Sequence, residues 1–207
     1  MDREQIKNIL KVHLPDEAVS DVVDLIAQHQ VYLRITKSRS SKYGDFRVPG
    51  PGHQPKLSIN DNLNQYAFLV TLLHEVAHLL VWRNHQLFYR RIKPHGIEWK
   101  NEFKSLLKPF LKKEIFPEPL LTLLKRHMLN PKASSSSDVK LMAELKKFDD
   151  SKETSLTLTD FQIGDFFNYR NTTYRIIRKN RTRYLCENVN NKKRYLVHSL
   201  AEVEMIK

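Results

Sequence analysis

The run "TLLHEVAHLLVW", residues 71–82, constrains this chain more than any other stretch. Leu72, Leu73, Val76, Ala77, Leu79, Leu80, Val81 and Trp82 would make a buried helix unaided. Into that helix the sequence sets His74, Glu75 and His78, three polar groups that are costly to bury unpaired. Residues four apart lie one turn apart on the same helical face, so His74 and His78 can direct their imidazoles at one ion. Glu75, beside the first histidine, then reaches a water rather than the ion. This is the arrangement of His-Glu-x-x-His zinc hydrolases, in which the glutamate takes a proton from a water activated by the metal. A metal also answers the burial problem, because it pairs groups that the leucines would otherwise strand. The plainer alternative, two histidines on a polar helix edge, lacks a broad polar face to sit on.

Composition narrows what such a site can be made of. Cys186 is the one cysteine, which excludes an intramolecular disulfide and a cysteine-based zinc ribbon. Any zinc site must use histidine and carboxylate. Lys+Arg 35 against Asp+Glu 23 gives a formal charge of +12, which favours polyanionic partners such as nucleic acid but equally suits a basic protein without one. No apolar run free of polar breaks reaches bilayer-spanning length, and "MDREQIKNIL" has no apolar core of a secretory signal. A cytoplasmic protein with no membrane partner is expected.

Periodicity predicts an α+β chain. Residues 2–13 and 16–30 read as helices, the second starting after Pro15 and Asp16. "VYLRITK" alternates as a strand; "SRSSKYGDFRV" reads as a turn into a second strand, with Gly44-Asp45 at the bend; "KLSIN" is a short third. "PGPGHQP" between them is a loop. Helices are expected over 61–84, about 95–107 and about 118–128. A serine-rich linker, 130–155, carries one loose helix at 139–148. From 156 to 207 five short strands, "DFFNYR", "TTYRIIRKN", "TRYLCENV", "KRYLVHS" and "AEVEMIK", predict a small basic β-barrel-like module, a small antiparallel barrel or a curled sheet. The expected domains are therefore 1–129, the linker, and 156–207.

A catalytic zinc needs a third protein ligand. Asn84 stands where a metzincin has its third histidine, and Val81 replaces that pattern's glycine. His85 follows too closely to fold back from one continuous helix. Glu98 has the spacing of a thermolysin-like ligand, and His95, in "KPHGIEWK", sits at a helix entrance between Pro94 and Gly96. His95 is the favoured ligand, with Glu98 as its hydrogen-bonding partner or a surface charge.

"TLLHEVAHLL" followed by "PHGIEWKNEF" resembles the SprT family of zinc metalloproteases, which includes the Spartan-type DNA–protein crosslink proteases. The lead "RITKSRSSKYGDFR…KLSIN" resembles that family's strand–turn–strand, ending in an Ile-Asn pair before the active-site helix. The resemblance covers about residues 15–110. It implies a zincin-like metalloprotease domain with a short N-terminal sheet, Zn2+ held by His74, His78 and His95, Glu75 as catalytic base, and a protein substrate. Many bacterial members end in a cysteine-based zinc ribbon, and here the β module takes its place.

Other residues carry weaker signals. Trp82 and Trp99 could wall a cleft but suit core packing better; His53 fits a solvated loop; Tyr43 and Tyr66 could each donate to an oxyanion, and nothing selects between them. Tyr174, Tyr184 and Tyr195 interleave with Arg175, Arg178, Lys179, Arg181, Arg183, Lys192, Lys193 and Arg194. That mixture suits base stacking and phosphate contact, so DNA or RNA is an expected partner of the module. The competing reading is a non-catalytic adaptor stabilised by zinc, which would keep the histidines and not need Glu75.

Overall fold

Asn64 ends a turn and starts the longest helix, because its side chain accepts the otherwise unpaired Ala67 N–H at 3.0 Å. This helix, α3 (Gln65–Asn84), is the centre of the N-terminal part. The computed structural model describes residues 3–39, 42–50, 52–132, 138–149 and 156–206. They divide into two compact units, Met1–Ala133 with Glu144–Asp149, and Ser134–Ala143 with Asp150–Lys207. The serine run of the expected linker (133–137) and its end (150–155) lie outside the described residues.

In the first unit α1 (Arg3–Leu10) and α2 (Asp16–Gln28) precede a three-stranded sheet. Strand β1 (Tyr32–Thr36) pairs parallel with β3 (Lys56–Asn60), and β2 (Gly44–Arg47) pairs antiparallel with the other side of β3. The register sets Leu33 opposite Leu57 and Ile35 opposite Ile59, with Phe46 opposite Leu57 and Gly44 opposite Ile59. One face is therefore apolar, and α3 packs along it. The opposite face carries Arg34, Ser58 and Asp45 in one row, and Tyr32, Lys56 and Arg47 in the next.

Gly44 and Asp45 lie within β2, not at the bend expected from the sequence. The turn is closed earlier: Asn60 N–H donates to Tyr43 O at 2.9 Å, and Asn60 Nδ2 donates to the carbonyls of Arg39 and Lys42 at 3.2 and 3.0 Å. After α3 come α4 (Ile97–Lys112) and α5 (Leu120–His127). His95 precedes α4 rather than lying on it, because Gly96 caps the helix and its N–H closes a turn onto Lys93 O at 2.9 Å. The last turn of α6 (Val139–Lys146) and the residues after it belong to this unit: Asn64 Nδ2 donates to Leu145 O and to Asp149, and the Tyr66 ring meets Phe148 edge-on.

By length and composition α3 could cross a bilayer, contrary to the sequence reading. Its apolar side chains are instead spent inside the unit, where Phe68, Leu69, Leu72, Leu73, Ala77 and Leu79 are fully buried.

The second unit is built on β4 (Phe166–Tyr169), β5 (Thr172–Lys179), β6 (Arg183–Asn188), β7 (Arg194–His198) and β8 (Glu204–Met205). All pairs are antiparallel, in the order β7-β6-β5-β4-β8. The β4–β5 turn is two residues, Arg170 and Asn171, both at positive φ, which matches the twist of a tight hairpin. Phe167, Ile176, Tyr184, Cys186 and Val197 bury one face with Leu158, Phe161 and Val203. Of the two expected forms, the barrel is corrected to an open sheet. Among the described residues nothing pairs β7 with β8, and β8 is too short, at 2 residues, to carry the closing ladder. The architecture is thus α+β, with six helices among the described residues and two separate sheets.

Candidate metal centre

His74 and His78 leave α3 one turn apart, and His95 meets them from the turn before α4. Their Nε2 atoms form a triangle: 3.2 Å from His74 to His78, 3.0 Å from His78 to His95, and 3.2 Å from His95 to His74. Three converging nitrogens cannot all be satisfied by the N–H groups of neutral imidazoles, each of which carries one. Burial, then the neighbouring imidazoles, pushes His74 down to about 2; burial and His95 push His78 to about 4; burial lowers His95 as well. The three rings are therefore neutral donors of lone pairs, the state that ligates a cation. Tetrahedral nitrogen ligands about 2.0–2.1 Å from zinc stand roughly 3.3 Å apart, close to the observed triangle. The trio could thus hold a metal ion, and all three residues keep partial exposure, so the centre is within reach of solvent.

Trp99 holds the triangle from behind. It is fully buried, its ring centroid lies 4.6 Å from that of His74 and 4.8 Å from that of His95, and its Nε1 donates to His74 O at 3.2 Å. Phe103 stacks beneath it at 4.9 Å. Trp99 therefore packs and orients ligands; Trp82 packs against Phe46 of β2 at 6.2 Å.

Glu75 points to the other neighbour of α3, strand β2. A Cβ at Gly44 would fall 2.7 Å from both Cγ and Oε1 of Glu75 and 2.9 Å from Thr71 Cγ2, so only glycine lets the strand lie this close. Burial raises the Glu75 carboxyl to about 8, reinforced by the Asp45 carboxylate. The Phe46 N–H, donating to Glu75, and the charges of Lys42 and Arg39 work against that rise.

The other ligand candidates stay outside the triangle. Asn84 donates to Glu102 at 2.9 Å, and His85 is exposed at the C-terminal end of α3. Glu98 folds over Gly96, where its Oε2 would lie 2.9 Å from an added Cβ. His53 is exposed in its loop. The Tyr66 ring packs between Phe116 and Phe148, and Tyr43 is 39% exposed.

Two residues near the site carry no local sequence signal. His127, buried at the end of α5, bears electrostatically on His74. Tyr89, in a short 3-10 turn after α3, has its phenol raised by burial and by the Glu75 carboxylate. Only a tertiary fold brings either one there.

In the second unit the tyrosines and most of the arginines separate, while Lys179 stays with the tyrosines, its Nζ 5.5 Å from the Tyr184 ring centroid. Tyr174 and Tyr184 share the buried face, with Tyr174 stacked on Phe167 at 5.7 Å; Tyr195 meets Tyr174 edge-on at the sheet margin. Arg175, Glu187 and Arg194 form a row on the opposite face, with Arg178, Leu185 and Leu196 in another.

The chain is similar to curated proteins named Protein SprT. It is 32% identical over 95 residues to that of Pseudomonas fluorescens (strain SBW25), covering 42% of this chain and 56% of the relative. Those of Cronobacter sakazakii and Erwinia tasmaniensis are each 47% identical over 45 residues, 21% of this chain and 25% and 24% of theirs. The chain thus spans little more than half the length of the first relative and about a quarter of the other two. No family model matches the chain, and no solved structure matches it significantly.

Proposed function

The chain is a SprT-like protein, and we propose that it is a zinc-dependent endopeptidase of the cytoplasm. The observation that carries this reading is the triangle of Nε2 atoms at 3.0–3.2 Å with Glu75 one residue from its first member. His74, His78 and His95 would hold the ion. Bound there, zinc supplies Lewis-acid polarisation of a carbonyl and a lowered pKa for water.

The rest of the chemistry belongs to the chain. Glu75 takes the proton of the attacking water and returns it to the leaving amine. Its carboxyl, near 8 from burial, comes down toward the ionised form beside a divalent cation. The Phe46 N–H fixes the carboxylate, and Gly44 leaves room for it. Tyr89 offers a phenolic O–H near Glu75 to an oxyanion developing on the substrate. The Arg-bearing face of the second unit would recruit nucleic acid, directing cleavage to proteins bound there.

Glu75→Gln tests the mechanism. The variant should bind one zinc by elemental analysis and cleave an unfolded protein substrate about 10²–10⁴ times more slowly. Undiminished cleavage by Glu75→Gln defeats it. A wild-type chain that binds zinc and cleaves nothing leaves the adaptor reading in its place.

A further inference from the structure

The outer face of the three-stranded sheet, turned away from α3, holds a depression of about 160 Å³ that the metal chemistry does not use. Four cations line it: Arg34 from β1, Lys56 from β3, Arg47 from β2, and Arg39 from the segment after β1. Strand register alone brings the first three together, since neighbouring strands lie about 4.8 Å apart and alternate residues share a face.

Arg39 is placed by hydrogen bonds. Its Nε donates to Asn60 Oδ1 at 2.8 Å, Nη1 to Ser58 Oγ at 3.1 Å, and Nη2 to Ser58 O at 3.3 Å. These acceptors are neutral, so they orient the guanidinium without cancelling its charge. Ser58, having accepted, keeps its own O–H to donate. The one carboxylate in the depression, Asp45, is already engaged by Lys42 and Arg47, each at 2.9 Å. Among the described residues Arg34, Arg39 and Lys56 form no ion pair, although the Arg39 charge is felt at Glu75, and Lys56 instead sits over the Tyr32 ring at 5.3 Å.

Like charges gathered in a concave place cost stability unless an anion joins them. A basic surface that serves only solubility needs neither a depression nor an arginine fixed by three hydrogen bonds. Guanidinium forks beside a lysine and a hydroxyl donor match the several oxygens and multiple charge of phosphate. We propose that this face is a binding site for phosphate groups, separate from the metal centre and from the basic face of the second unit. The phosphate could be carried by a nucleic-acid strand or be a free oligophosphate, and the two are separable by experiment.

The full-length chain should be titrated with a labelled single-stranded DNA of about 20 nucleotides, by anisotropy at salt between about 50 and 200 mM, and with pyrophosphate by calorimetry. Combined Arg34→Gln, Arg47→Gln and Lys56→Gln should weaken binding at least about tenfold and lower the DNA salt slope by about 2, at about 0.7 per cation. Arg39→Lys, which keeps the charge and loses the fork, should weaken binding several-fold with the helical circular dichroism unchanged. A matching set on the second unit, Arg175→Gln, Arg178→Gln and Arg194→Gln, should leave pyrophosphate binding intact. DNA binding sensitive to the sheet variants assigns the strand as source; pyrophosphate binding alone, with the same sensitivity, assigns the free anion. Binding of neither probe, or equal binding by wild type and the sheet triple variant, overturns the proposal.

Discussion

The two sheets both bury one face, yet they bury different chemistry. Against the three-stranded sheet lies a helix carrying two histidines and a glutamate, and none of these polar groups stands alone. The histidines meet each other and His95, and Glu75 meets the Phe46 N–H. The five-stranded sheet closes over aromatic and aliphatic side chains around Phe167 and Ile176. Its near neighbour Ser199 is buried with its Oγ unpartnered among the described residues. Burial of a polar atom therefore marks a site only where several such atoms converge. A solitary one is a local cost.

Four substitutions can break or sharpen that contrast. Phe167→Ala removes the centre of the second core and should cost about 3–5 kcal/mol, unfolding that sheet while zinc stoichiometry stays at one. Loss of zinc together with the sheet would show that the metal centre depends on it. Gly44→Ala brings a methyl onto Glu75 and should slow proteolysis about tenfold, roughly 1.4 kcal/mol of barrier, with zinc retained. Unchanged turnover would mean that Glu75 does not need β2. Ser199→Ala should stabilise the protein by about 1 kcal/mol, because it removes a buried hydroxyl that has no partner; a lower melting temperature would reveal a partner for Ser199. Glu187→Gln loosens an exposed pair with Arg194, 3.7 Å apart, and should shift stability by less than about 1 kcal/mol.

Much of this was legible in residues. The period of α3, the four-residue spacing of its histidines and the alternation of β1 are local patterns, and they carry the fold class and two corners of the triangle. His95 stood out because Pro94 and Gly96 mark a helix entrance, although the helix starts after it. What could not be read is what folding alone juxtaposes. Gly44 looked like a turn residue, and its small size serves Glu75. His127 and Tyr89 have no local pattern at all. The barrel expectation failed at the last strand, where "AEVEMIK" has strand composition but pairs over only 2 residues.

Asn60 gives the first unit a chemical lifetime as well as a shape. Both of its side-chain N–H groups are committed to the carbonyls of Arg39 and Lys42, while its Oδ1 accepts from Arg39 Nε. Spontaneous hydrolysis of that amide would leave an aspartate facing two carbonyls, with acceptors opposed where donors had been. The segment that delivers β2 to Glu75 would then lose two of the hydrogen bonds that anchor it. Ageing at one buried amide, outside the triangle of histidines, would reach Glu75 by way of the backbone.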